Sequence, residues 1–301
     1  MRTTGLLLVL LSAATFGTSG SFAHSLLATG WTPAAAVTIR ICVAAAVLTI
    51  PALLSARGRW PAIRKEGGLL AVYGVVAVAG CQLMFFEAVG HLSVGVALLL
   101  EYSGSVMVVL WLWLRLGERP RPRTLLGVLL CVAGLVVVLD VVRGAHVDVP
   151  GVLFGLGAAV GLATFYVLSS RTETDVPPLV NAWLGMSVGA VILLAAGASG
   201  VVSLAHTTHR VHLAGTDTSW VVPVLGLSLV AAVIAYTAGI SGARRVGAKV
   251  AAFVGLTEVL FAIGFAYLLV DQRTSAVQGL GGALVLAGIA VVRADDRPTP
   301  S

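Results

Sequence analysis

The sequence predicts an all-α integral membrane protein in which ten transmembrane helices form two inverted five-helix repeats. Three observations carry this expectation. The 301-residue chain is 58% hydrophobic and only 11% charged, with a mean hydropathy of +1.01. A soluble domain carries about 25% charged residues because its surface must face water, so most of this surface must face lipid. The apolar residues also gather into runs of roughly 20, the length that crosses a bilayer as a helix. Finally, one stretch occurs twice. Residues 94–139 comprise an apolar span, a short basic turn and a second apolar span. Shifted by 154 positions, Val96-Ala97 meets Val250-Ala251, Gly127 meets Gly281, and Ala133-Gly134 meets Ala287-Gly288. Upstream, Ala14-Thr15-Phe16 recurs as Ala163-Thr164-Phe165. Two diverged repeats, 1–149 and 150–293, joined near Pro150 and followed by a disordered tail 294–301, account for the pattern.

Taken in order, the expected spans are 5–23, 34–54, 67–86, 92–114, 124–142, 150–170, 179–202, 219–240, 246–270 and 275–292. Helices are required because lipid offers no partner to backbone N–H and C=O groups. The first span also fits a secretory signal, with Arg2, the run Gly5 to Leu11 and the small residues ending Ser21-Phe22-Ala23. Its Ala-Thr-Phe motif returns deep in the sixth span, which no signal peptide explains, so it is read as a retained helix. The 35 glycines, recurring with alanine inside the spans, let helix backbones approach closely in a tight bundle.

Orientation follows from the basic residues. Arg2, Arg57, Arg59, Arg64, Lys65, Arg115, Arg119, Arg121, Arg123, Arg171, Arg244, Arg245, Lys249, Arg293 and Arg297 fall at one set of span ends. Only Arg143, Arg210 and Arg273 fall at the other, and Arg40 lies within a span. Positive charge marks the cytoplasmic side, so both termini are expected there, and five spans per repeat make the repeats inverted. The net charge of +6 is therefore a matter of topology and not a sign of nucleic-acid binding. Cys42, Cys81 and Cys131 are odd in number and lie within apolar spans, which reads as small core residues and not a disulfide framework. The six histidines, His24, His91, His146, His206, His209 and His212, all fall in outer segments. His206, His209 and His212 resemble a metal set in spacing, but no acidic or cysteine cluster completes a shell, and no metal or cofactor is expected.

Chemistry concentrates on three buried charges. A charge at the bilayer centre costs about 2.5–3.5 kcal/mol on insertion scales, so Arg40, Glu101 and Glu258 should face the bundle interior. Arg40 is seven residues and Glu101 ten residues into their spans from the outside. At 1.5 Å rise per residue their depths differ by about 5 Å. Helical spacing lines Glu258 with Ala251, Gly255, Phe261, Ala262 and Phe265, and Glu101 with Gly104 and Ser105, next to Tyr102. Ser12, Phe16 and Gly20 make a comparable face on the first span. The candidate substrate- and proton-binding set is Glu101, Glu258, Arg40, Tyr102, Ser105, Phe16 and Phe265. A structural ion pair between Arg40 and Glu101 is the competing reading for that pair. Glu87 sits near the outer boundary, Glu118 ends the fourth span beside basic residues as a topological marker, and Trp111, Trp113 and Trp220 are interfacial or packing residues.

These residues carry a resemblance. LRLGERPRPRTLLGVLLCVAGLVVVL, from 114 to 139, resembles the ending of the EamA domain of the drug/metabolite transporter superfamily. LTEVLFAIGFAYLLVDQRTSAVQGLGGALVLAGIAVV looks like a second such domain. LLLEYSG is similar to the threonine/homoserine-exporter-like branch, where a Glu-Tyr pair sits in span four. Two departures stand out: Val259 replaces the proline that usually follows the central acid, and Asp271-Gln272 replaces the second Gly-Glu pair. The resemblance implies a ten-helix inverted-repeat exporter of small metabolites in the bacterial inner membrane. Its partners would be a small-molecule substrate, the lipid bilayer and, as one option, protons. Efflux of cationic compounds, facilitated diffusion and a non-transporting receptor stay open as alternatives. A membrane enzyme is disfavoured, since the chain has no H-E-x-x-H, no paired intramembrane aspartates and no histidine inside a span.

Overall fold

The computed structural model describes residues 2–91, 94–117, 119–138, 148–270 and 276–295. Glu118, Arg143, His146, Asp271, Gln272 and Arg273 lie outside the described residues. The described residues form an α-helical bundle with a two-stranded sheet at one end. Its helical rods are α1 (Arg2–Gly17 continuing as Ser19–Leu27), α2 (Pro33–Ser55) and α3 (Gly67–Val72, a π-helical Tyr73–Gly80, then Cys81–His91). Next come α4 (Val94–Tyr102, then Gly104–Leu116), α5 (Pro122–Val138), α6 (Val149–Ser169) and α7 (Pro178–Ala198). The last are α8 (Val221–Leu225, a π-helical Gly226–Ile234, then Ala235–Val246), α9 (Ala248–Gly255, then Thr257–Val270) and α10 (Ala276–Asp295). Eight of these rods are long and apolar enough to cross a membrane, while α5 and α10 contribute shorter apolar helices, Pro122–Val137 and Gly279–Val292. The boundaries fall near those expected. The main differences are that α1 runs to Leu27, α3 to His91 and α8 to Val246, that α7 stops at Ala198, and that α10 extends two residues into the expected tail. Asp295 explains the last: it is buried, takes the Thr124 hydroxyl and ion-pairs with Arg121 at 3.8 Å.

The bundle is inside-out relative to a soluble protein. Its buried positions are rich in alanine, among them Ala44, Ala158, Ala182, Ala231 and Ala251, whereas Ile50 (71% exposed), Leu114 (78%) and Leu268 (67%) line the periphery. Lipid tails are as apolar as leucine, so close backbone packing and interhelical hydrogen bonds hold such helices together. Helices from the two halves interlock: α1 packs on α8 and α9, α6 on α3 and α4, α2 on α8, α7 on α3, and α5 on α10. At the α5–α10 crossing, a Cβ on Gly127 would lie 2.8 Å from the Gly288 carbonyl, and one on Gly134 would lie 2.7 Å from that of Gly281. Between these contacts the Cys131 thiol donates to the Val285 carbonyl at 3.7 Å.

Three of the rods are interrupted. α1 breaks at Thr18, α4 at Ser103 and α9 at Leu256. None of these breaks has a proline. Instead a hydroxyl at or beside each break donates to the carbonyl three residues back: Thr18 to Thr15 at 2.6 Å, Ser103 to Leu100 at 2.5 Å, and Thr257 to Val254 at 2.7 Å. Side-chain capture of a carbonyl competes with the helical ladder and bends it. The break in α9 therefore forms although Val259 stands where proline is usual. The π-helical segments of α3 and α8, and the breaks of α4 and α9, recur at close to the 154-residue offset read from the sequence.

One end of the bundle is capped by β1 (Val211–Leu213) and β2 (Thr216–Thr218), paired antiparallel. Trp31 Nε1 donates to the Thr207 carbonyl at 2.8 Å, and the Ala214 N–H donates to the Leu269 carbonyl, tying this loop to the α1–α2 turn and to α9. Trp220 packs against Trp31, Trp111 and Trp113 are exposed, and Glu87 is exposed near the end of α3.

Candidate functional site

The two interruptions in α4 and α9 position the two acids. Glu101 is the penultimate residue of the first α4 segment, and Glu258 lies in the first turn of the second α9 segment. A helix start is where an acidic side chain meets the positive end of the peptide dipoles. Small residues on neighbouring helices make room for both. A Cβ on Gly155 would meet Leu100, and one on Gly104 would come within 2.6 Å of the Ala159 carbonyl, so α4 lies close against α6. A Cβ on Gly17 of α1 would lie 3.1 Å from the Glu258 carbonyl and 2.8 Å from Phe261 Cβ. Glu101 Oε1 accepts from the Cys81 thiol at 3.5 Å, and that thiol also lies 3.4 Å from the Ala158 carbonyl. Tyr102 and Glu258 are electrostatic neighbours.

Arg40 is buried, and its guanidinium has specific partners. Nη1 donates to Ser19 Oγ at 3.0 Å, Nη2 donates to the Ala231 carbonyl at 3.1 Å, and Cζ stands 5.8 Å from the centre of the Phe16 ring. Ala231 belongs to the π-helical part of α8, and π segments recur at functional sites. The proposed Arg40–Glu101 ion pair is not formed: no such contact within 4 Å exists among the described residues. The physical reason is that three uncharged partners from α1 and α8 already engage the guanidinium. Its facing ionisable groups are Tyr236, Glu258 and Glu101.

Other expected residues divide. Phe16 joins the site, lying edge-on to Tyr236 at 5.1 Å. Ser105 instead ties two helices together, donating to the Ala252 carbonyl of α9 at 3.2 Å, and Ser12 does the same for the Ala235 carbonyl of α8 at 2.8 Å. Phe265 stands seven residues beyond Glu258, about 10 Å along the helix, and no ring contact or hydrogen bond joins it to the acids among the described residues. The break at Leu256 also takes Ala251 and Gly255 off the helical face expected to continue through Glu258.

Sequence reasoning missed Tyr166, Tyr236, Cys81 and Ser19. Tyr166 and Tyr236 are buried, and both carboxylates act on Tyr166. A chain of rings runs from Phe16 through Tyr236 to Phe165 (5.6 Å), then to Tyr166 (5.1 Å) and Tyr73 (6.1 Å). A signal for part of it existed. Phe16 and Phe165 are the equivalent residues of the repeated Ala-Thr-Phe, and they clasp Tyr236 from two sides. An apolar cavity of about 130 Å³ lies on the α5 side of the α4 break, lined by Tyr102, Ser103, Ser105, Cys131, Phe253 and Leu256 among others. No group of three His, Cys, Asp or Glu side chains among the described residues is placed to hold a metal. His212 pairs with Asp217 at 2.9 Å, and His206 lies against Trp31.

Comparison with known proteins gives the family of the whole chain. The EamA-like transporter family pattern covers residues 3–140 and again 149–294. The chain belongs to the EamA-like transporter family. It is a multi-pass membrane protein with a duplicated domain, and such transporters act on small-molecule substrates. It is 24% identical over 97% of its length to an uncharacterized transporter, YwfM, of Bacillus subtilis, covering 94% of that protein. It is 27% identical to the threonine/homoserine exporter RhtA of Escherichia coli K12, over 44% of this chain and 43% of that one. A solved crystal structure at 22% identity superposes with a TM-score of 0.78 over 99% of this chain and all of the other, which shows a shared fold.

Proposed function

We propose that this protein is a ten-span, inverted-repeat secondary transporter of the bacterial inner membrane. It exports small zwitterionic metabolites, amino acids or close analogues, by alternating access, with Glu258 carrying a proton. The observation that carries this reading is that Glu101 and Glu258 sit at helix interruptions in the bundle core, while Arg40, buried on α2, reaches Ser19 beside the α1 break and Ala231 in the π-helical part of α8. A guanidinium answers a carboxylate and a carboxylate answers an ammonium, so an amino acid finds complements for both its charges. Substrate sites at broken helices between inverted repeats are a recurring transporter plan. One relative is a threonine/homoserine exporter, which agrees with a zwitterionic substrate.

Inversion is supported by the reciprocal packing, in which the α1–α8 contact is mirrored by α6–α3 and α2–α8 by α7–α3. The α5–α10 crossing has the same symmetry: equivalent residues Cys131 and Val285 meet at its centre, flanked by Gly127 against Gly288 and Gly134 against Gly281. The basic residues put both termini in the cytoplasm. In that orientation the Phe16–Tyr236–Phe165–Tyr166 ring chain lies on the cytoplasmic side of the acids and closes their path inward. Arg40 orients the substrate carboxylate, Glu101 meets the ammonium, and Glu258 loads its proton on one side and releases it on the other.

Counterflow in proteoliposomes tests the reading. Preloaded threonine should drive uptake of labelled threonine, and an imposed pH gradient should accelerate it. Glu258→Gln imitates the protonated acid, so it should keep threonine binding and exchange while losing the response to the gradient. Flux that ignores the gradient in the unsubstituted protein would replace proton coupling by facilitated diffusion. No counterflow at all would refute the transport of zwitterions.

A further inference from the structure

The transport reading leaves the apolar cavity beside the α4 break without a use. It lies between α4, α5 and α9, and its wall joins two helix interruptions, with Tyr102 and Ser103 from one and Leu256 from the other. Three polar groups on the wall have committed their hydrogens inside the bundle. Ser103 donates to the Leu100 carbonyl at 2.5 Å, Ser105 to the Ala252 carbonyl at 3.2 Å, and Cys131 to the Val285 carbonyl at 3.7 Å. Tyr102, the remaining polar residue there, is an electrostatic neighbour of Glu258. The rest of the wall is leucine, valine and phenylalanine. A buried water needs about 2–4 polar partners, whereas an engineered apolar cavity of about 150 Å³ stays dry and takes benzene. At about 130 Å³, this cavity suits a piece of hydrocarbon of similar size.

The position of the cavity names the hydrocarbon. Val132, on its wall, is exposed on the same face of α5 as Leu125 and Leu129, and the wall residues Leu99, Leu100, Val106 and Val128 are half-buried. The wall is therefore continuous with the lipid-facing surface between α4 and α5. Its α5 residues, Val128 to Leu135, occupy the middle of a helix that runs from Pro122 to Val138. That is the depth at which the acyl chains of the two leaflets end. We propose that the cavity holds the methyl end of an acyl chain from the surrounding bilayer. Moving a chain end from lipid into protein changes no hydration, so the gain is one of contact. The wall of a void lacks partner atoms on one side, and filling the void restores them. The chain end thereby packs against the residues of both breaks. The site does not depend on the transport reading.

The test uses two wall residues that lipid does not otherwise touch, Phe253 (1% exposed) and Leu256 (2%). The full chain is reconstituted in nanodiscs of phosphatidylcholine bearing a diazirine at the methyl end of one acyl chain. After irradiation, lipid adducts are mapped to residues by mass spectrometry. Exposed Leu129 should be labelled in every case and serves as the internal control. Phe253 and Leu256 should be labelled as well, and lose their label when the diazirine is moved next to the chain carbonyl. Val106→Phe and Val132→Phe each add a ring to the wall, and each should abolish the adducts on Phe253 and Leu256 while keeping that on Leu129 and an unchanged gel-filtration profile. Labelling of Leu129 without Phe253 or Leu256 in the parent protein would overturn the proposal. So would adducts on the two buried residues that survive both substitutions or that do not depend on where the diazirine sits. Adducts there from a freely diffusing trifluoromethyl phenyl diazirine, with none from the lipid, would show a cavity that chain ends do not enter and would equally overturn it.

Discussion

Gly255→Ala should disable the site from a position that carries no charge. Gly255 ends the first segment of α9, and a Cβ placed there overlaps the Tyr166 hydroxyl and lies 2.9 Å from Tyr166 Cζ. Tyr166 is 9% exposed and lies edge-on to Phe165 with 5.1 Å between centres. To restore a normal contact the ring must withdraw by more than about 1 Å, which in a packed interior costs about 1–3 kcal/mol. Withdrawal also moves the phenol that faces both carboxylates. Tyr166→Phe removes the overlapping oxygen and leaves only the Cζ contact, which a shift of a few tenths of an ångström relieves. The two changes should therefore couple by about 1–2 kcal/mol in a double-mutant cycle. The assay is reversible unfolding in mixed micelles, run beside counterflow on the same preparations. Gly255→Ala should lower both stability and flux, and the double variant should recover most of the stability. An alanine variant as stable as the parent, or one that Tyr166→Phe does not rescue, would refute the packing argument.

Three further outcomes follow from the contacts. Gly134→Leu forces a side chain onto the Gly281 carbonyl and Val285, and should abolish folded protein on gel filtration, whereas Leu129→Ala on the exposed face of the same helix should change little. Arg40→Lys cannot hold Ser19 Oγ and the Ala231 carbonyl at once, because an ammonium lacks the planar fork; the protein should still assemble, but counterflow should fall at least about 10-fold, and unchanged flux would mean the fork is dispensable. Thr257→Val leaves the Val254 carbonyl without its hydroxyl partner and should cost about 1 kcal/mol in the same unfolding assay, with lost flux, and a variant equal in both would show that the break in α9 needs no hydroxyl.

The bilayer made much of this protein legible in one dimension. Span positions follow from a local requirement, about 20 apolar residues to cross hydrocarbon, so α2 and α6 start and stop within a residue of expectation. The same cost argument singles out Arg40, Glu101 and Glu258, because a charge inside a span needs a reason. The Ala-Thr-Phe repeat even marks the two rings that hold Tyr236. What the sequence could not decide is how the helices break and what the charges touch. Hydroxyls are scattered through the spans: Thr49 and Thr164 reach the carbonyl four residues back and their helices continue, while Thr18, Ser103 and Thr257 reach three back where theirs break. Residue type is the same in both groups. Which of these helices break is therefore not written in the hydroxyls alone. Arg40 likewise finds Ser19, Ala231 and Phe16 and not Glu101, because α1 and α8 close around α2. The membrane fixes where helices lie along the chain, and packing between helices fixes where the polar groups meet.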